Sequence, residues 1–260
     1  MPASIKLQEE YGDKVQVVFV SVGSDSPDKV QAFALKKKWL GGRSMWTCEP
    51  PFETGIKTIP ATVLVSSSGE VLFADNPNES KLKDLIEEDL KAKEKGPKDA
   101  PDAVRKAWAD FGKGYWGKAR VAAQAVIDKP PPKDGDAAVA AAKAALESFG
   151  KGIDARFARV DRCVADGLFD RAADELAAIG KAVKGDADLV QRHADALAKL
   201  NGDDLKAERD AAAALAKLEK KLYANGPEDN SAKQLEAFAE KYSGTRAGDR
   251  ARYLATLVQG

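Results

Sequence analysis

The sequence is poor in the residues that most often carry chemistry. It has two cysteines, Cys48 and Cys163, far apart in the chain. That excludes a disulfide framework, a cysteine-based zinc site and any CxxC within the sequence. One histidine, His193, excludes a His-pair metal site and HExxH chemistry. Net charge is also missing, with 41 Lys and Arg against 41 Asp and Glu. Such a balance argues against a nucleic-acid binder or an acidic tail. No run of 18 apolar residues exists, so no transmembrane helix is expected. Aromatics are only 7%, which predicts small-residue packing wherever alanine dominates. What is abundant is charge, at 32%, alongside 44% hydrophobic residues. That is enough apolar material for a core and favours long, solvated helices.

Composition changes near residue 96. Three β-branched runs lie before it: Val15 to Val22, Ala61 to Val65 and Val71 to Phe73. Near-continuous apolar runs predict strands buried on both faces. Ser66-Ser67-Ser68-Gly69 joins the last two, predicting an antiparallel hairpin. A helix should start at Ser26-Pro27, as N-cap and first residue. It turns Val30, Phe33, Ala34 and Leu40 inward and ends in Lys36-Lys37-Lys38, where basic residues suit the helix dipole. Another should span about Ser80 to Glu94, with Leu82, Leu85, Ile86 and Leu90 as its buried stripe and Gly96-Pro97 as its stop. The expected organisation is an α/β domain at 1–95, a linker at 96–102 and an all-α domain at 103–260.

In the second part, apolar residues recur at spacings of three and four. One row is Phe149, Ile153, Phe157, Val160 and Val164, and another is Phe169, Ala172, Leu176, Ile179 and Val183. Leu215, Leu218 and Leu222 form a third, and Leu235, Phe238 and Tyr242 a fourth. Turn signals fall at Lys129 to Pro132, Gly150, Asp166-Gly167, Lys184-Gly185-Asp186, Asn201-Gly202-Asp203 and Asn225-Gly226-Pro227. This predicts seven to nine antiparallel helices with short turns. His193, on an apolar row with Leu189 and Leu197, reads as a hydrogen-bonded core residue. Trp108, Phe111, Tyr115 and Trp116 read as packing at the domain junction, and Cys163 as a core thiol.

Three stretches carry a resemblance. Met1 to Tyr11, with Pro2, is one; Val15 to Val22 running into Gly23-Ser24-Asp25 is the second. Gly55-Ile56-Lys57-Thr58-Ile59-Pro60-Ala61-Thr62-Val63-Leu64-Val65 with Gly69-Glu70-Val71 is the third and most specific. Together they resemble the thioredoxin-like redoxins, in particular the exported thiol–disulfide oxidoreductases of bacterial envelopes. The resemblance implies a thioredoxin-like α/β domain, a cis peptide bond before Pro60, and a substrate-binding segment at Thr58, Ile59 and Pro60. It also implies an envelope or periplasmic setting. The family's CxxC and central strand would fall before Met1. Either Met1 is an internal methionine of a longer chain, or the chain is a shortened relative; as given it is expected to be redox-inert. Cys48 is the one thiol in this region and the candidate reactive one.

Gly114-Tyr115-Trp116-Gly117-Lys118-Ala119 and Gly167-Leu168-Phe169-Asp170-Arg171-Ala172 are read as a shared Gly-aromatic-x-x-Ala turn-to-helix pattern. They loosely resemble tetratricopeptide-type hairpins, although their spacing is not the 34-residue period of that family. That resemblance implies protein or peptide partners bound on a concave helical face, without a cofactor or nucleic acid. The two functional readings are a redoxin lacking its redox motif and an interaction adaptor built on the helices.

Overall fold

The computed structural model describes residues 2–21, 26–39, 45–49, 60–66, 70–76, 78–97 and 99–259. In chain order the elements are α1 (Pro2–Tyr11), β1 (Val18–Val20), α2 (Pro27–Lys36), β2 (Met45–Thr47), β3 (Thr62–Val65), β4 (Val71–Asp75) and α3 (Glu79–Lys95). Then follow α4 (Asp102–Gly112), α5 (Trp116–Asp128), α6 (Gly135–Ala165), α7 (Phe169–Ala182), α8 (Ala187–Leu200), α9 (Lys206–Asn225), α10 (Ser231–Lys241) and α11 (Arg246–Gln259). The chain forms two compact units: residues 1–55 with 203–260, and residues 56–202.

The expected thioredoxin-like α/β domain is not what forms. Helix accounts for 73% of the described residues and strand for 6%. Among those residues the strands make two separate two-stranded sheets. β1 pairs with β2 in parallel, Val18 opposite Met45 and Val20 opposite Thr47. β3 pairs with β4 antiparallel, so the expected hairpin is present, with a register shift between Leu64 and Val65. The reason the larger sheet fails is visible in β1. A strand buried on both faces must find ladder partners and cover for both faces. β1 is three residues long with one partner strand, and Val18 and Val20 are exposed at 43% and 37%. Pro2 lies in the first turn of α1, where a missing N–H interrupts no helical hydrogen bond.

The helical reading of the second part holds in outline. Eight α-helices lie between residues 99 and 259. The four apolar rows are their buried faces, with Phe149, Ile153, Leu176 and Ile179 at 0–1% exposure. Glycines with φ between 68° and 95° close α3 (Gly96), α4 (Gly114), α6 (Gly167), α7 (Gly185) and α9 (Gly226). Gly150 is the exception. It lies inside α6, a 31-residue helix, and ends nothing. In α2 the buried residues are Ala34 and Leu35, while Phe33 is 51% exposed. Leu40 lies outside the described residues. In α3, Leu82 and Ile86 are buried. Its cap is Asn78, whose side chain accepts from the Lys81 N–H.

In the unit of residues 56–202, alanine lets α4, α5 and α6 approach closely: Ala107, Ala119, Ala123 and Ala145 are 0–1% exposed around Phe149. The aromatics fill the remaining space. Phe111 stacks on Phe149 at 4.3 Å between centroids, and Trp108 meets Phe149 edge-on at 4.8 Å. Trp108, Phe111 and Trp116 thus pack within the helices; Tyr115 is 49% exposed. In the unit of residues 1–55 and 203–260, Leu35 of α2 is fully buried in one core with Leu215 and Leu222 of α9, Leu235 and Phe238 of α10, and Leu254 and Leu257 of α11.

A candidate interaction groove between parallel helices

Sequence placed the site at Thr58, Ile59, Pro60 and Cys48. Thr58 and Ile59 lie outside the described residues. Pro60 is described and exposed, just before β3. Cys48 is a free, half-buried thiol in the bend after β2. Beside it, the Glu49 N–H donates to Thr47 Oγ1 at 3.0 Å. Cys163 is also free and half-buried, and burial pushes its thiol pKa up, away from the thiolate.

A surface groove lies elsewhere, between α6 and α8. The two turn-to-helix motifs prove to be one structure used twice. Tyr115 N–H donates to Asp110 O and Gly114 N–H to Phe111 O; Leu168 N–H donates to Cys163 O and Gly167 N–H to Val164 O. Each is a Schellman closure with glycine in the left-handed position. The next residues, Tyr115 (φ −94°, ψ 62°) and Leu168 (φ −89°, ψ 58°), then enter α5 and α7 in the same conformation. α6 is 31 residues long where α4 is 11. That extra length is what puts the two motifs out of tetratricopeptide register.

Close packing fixes α7 and α8 behind this layout. A Cβ at Gly180 would fall 2.8 Å from His193 Cε1. Glycine therefore lets His193 reach the Leu176 carbonyl, 3.0 Å from Nε2. A carbonyl only accepts, so Nε2 carries the proton. The expected hydrogen-bonded histidine is found, at half-buried depth. Asp186 caps α8 by accepting from the Leu189 N–H at 3.0 Å, and its other oxygen binds Arg120 of α5 at 2.7 Å. Arg156 of α6 pairs with the buried Glu175 of α7, with Arg159 at 3.9 Å. The Arg156 guanidinium also lies over Trp116 at 5.9 Å.

On the other side, α6 and α8 face each other across a seam. Arg192 binds Asp154 at 2.5 Å and Lys199 binds Asp161 at 3.0 Å. Both pairs span 38 residues. A constant offset means the two helices run parallel, as the first and third members of a helix–turn–helix–turn–helix set must. The acids stand two turns apart on α6 and the bases two turns apart on α8, about 10 Å along each axis. Beneath them lies an apolar floor of Phe157, Val160 and Ala196, with Phe157 and Val160 at 4–5% exposure. Arg192 covers Phe157 at 4.1 Å. The groove encloses about 210 Å³. Its rim residues are 43–67% exposed, where an ion pair contributes only about 0–1 kcal/mol. These pairs therefore hold the seam weakly and could exchange for a partner's charges at small cost.

The sequence reading missed this seam because it considered each helix row by itself. The signal was present in the 38-residue offset that aligns Asp154 with Arg192 and Asp161 with Lys199. No helix of the described residues is long and apolar enough to cross a membrane. No protein-family model, curated protein or solved structure matches the chain.

Proposed function

We propose that the protein is an interaction adaptor that binds peptide segments of other proteins in the α6/α8 groove. The observation that carries this reading is the seam itself. It combines an apolar floor with an exposed rim of both signs. An apolar centre inside a polar rim is the usual anatomy of a protein-binding surface. The low cost of opening exposed ion pairs supports the same use.

A peptide library selected against the whole chain tests it. Selected peptides are then measured by fluorescence anisotropy on the native chain and on the double variant Arg192→Glu, Lys199→Glu. Both side chains are exposed, so the circular-dichroism melt should stay in place while affinity falls by about tenfold or more. Peptides that bind both proteins equally would place recognition outside this groove.

A further inference from the structure

The other unit contains a comparable set of three consecutive helices, and there a further helix packs on the set. In α9, α10 and α11 the first and third helices again run parallel. The Arg246 N–H, at the start of α11, donates to Glu208 near the start of α9 at an offset of 38 residues, and Arg250 binds Glu219 at an offset of 31, so the two helices run in the same direction without keeping one register. Arg250 also donates to the Tyr223 hydroxyl at 3.2 Å. Into the core of this set α2 inserts Leu35, at 0% exposure. Two turns earlier on the same helix is Asp28, which accepts from the Tyr253 hydroxyl of α11 at 2.8 Å, with Gln31 Oε1 at 2.9 Å. Ala32, one turn before Leu35, packs on the same core. The helix that packs on this set is thus amphipathic, with an aliphatic anchor in the core and a polar flank bonded to α11.

From this internal precedent we infer that the α6/α8 groove receives an amphipathic α-helix of a partner protein, with one aliphatic anchor and opposite charges on its two flanks. This rests on the groove reading proposed above. Both walls repeat at seven residues, Asp154 with Asp161 and Arg192 with Lys199, which matches the two-turn repeat of a helix lying along them. An extended peptide repeats every two residues and would meet these charges out of phase. The acidic wall asks for basic residues on the near flank and the basic wall for acidic ones on the other. The space suits the anchor: a cavity of about 150 Å³ is enough for benzene, and the groove is about 210 Å³.

The probe is an alanine-based helical peptide of about eighteen residues, long enough to hold its helix. It carries a central leucine, with lysines three before and four after it, and glutamates four before and three after. Companion peptides replace the leucine by alanine, make all four flanking charges glutamate, or insert two prolines. On the native chain the mixed-charge helix should bind best. Losing the leucine should weaken it about tenfold. In the double variant Asp154→Lys, Asp161→Lys both walls are basic, and the preference should switch to the all-glutamate helix. An unchanged preference overturns the inference, as does a proline-containing peptide that binds as well as the helix. If no helical probe binds while library peptides still respond to Arg192→Glu, Lys199→Glu, only the helical partner is wrong. If those peptides are also indifferent, the groove reading falls with it.

Discussion

The sets α6–α7–α8 and α9–α10–α11 share a plan and differ at the seam. In the first, exposed ion pairs bridge an apolar floor that no other element of the described residues fills. In the second, a helix from near the start of the chain supplies Leu35, and Tyr253 bonds its flank. Parallel first and third helices leave a trough that their own side chains do not close. In the second set what packs on it comes from far away in sequence. The largest expected effect comes from reversing the two states. Leu35→Ala empties the filled seam and should cost about 2–5 kcal/mol, the usual range for a buried leucine. Ala196→Leu fills the open one. With space above a half-buried alanine it should change stability by under about 1 kcal/mol while removing peptide binding. Urea titrations followed by circular dichroism give both numbers. Equal costs for the two would mean that the seams are not alternatives of one plan.

A smaller effect separates what the seams need from what the turns need. Gly117, in the first turn of α5, would place a Cβ 2.4 Å from the Val183 and Lys184 carbonyl oxygens, and Gly248 in α11 would place one 2.3 Å from the Tyr242 oxygen. Backbone cannot yield as a flexible side chain can. Gly117→Ala and Gly248→Ala should each cost about 1–3 kcal/mol. Gly150 has nothing within 4 Å of such a Cβ and sits inside a helix. Gly150→Ala should stabilise by about 0.5–1 kcal/mol. Thermal melts of the three variants would show it; a destabilised Gly150→Ala would mean that α6 needs a flexible point there.

Gly150 also shows where sequence stopped short. A glycine near the start of an apolar row resembles a break, but Ala138, Ala142, Ala145 and Phe149 before it keep one helical phase with Ile153, Phe157 and Val160 after it, and the helix continues. The helical rows, the hairpin of β3 and β4, and the turn glycines were legible because each depends on residues near in sequence. The strand at Val15 to Val22 was overread. Its β-branched run suits a strand, yet strand burial depends on distant partners, and the run supplies no information on those. The same limit hid the groove. Phe157 and Val160 were legible as apolar, but only the placement of α8 shows that Arg192 and Lys199 stand above them. Leu35 was passed over for Phe33 and Leu40, since which side of α2 faces inward is decided by α11.

Alkaline pH gives the finest division between the two sets. α6–α7–α8 contains no tyrosine. In the other set, burial, aided by the Glu219 carboxylate, pushes the Tyr223 hydroxyl up to about 12. Burial and the hydrogen bond to Asp28 push Tyr253 up to about 12 as well. Both groups hold their proton more tightly folded than unfolded, where the ordinary value is about 10. Their contribution to stability is therefore complete below pH 10 and is lost as pH rises from 10 towards 12. Tyr253 is 39% exposed, so solvent screening makes its share the smaller one. In that window α9–α11 should loosen and release α2 before α6–α8 changes. Hydrogen exchange between pH 9 and 11.5, corrected for the intrinsic rate, should show a larger fall of protection in 27–36 and 206–259 than in 135–200, where the raised group is the Cys163 thiol. The variant Tyr223→Phe, Tyr253→Phe should flatten that difference. Equal loss of protection in both sets, or no effect of the double variant, would mean that the tyrosines hold nothing at the α2 contact.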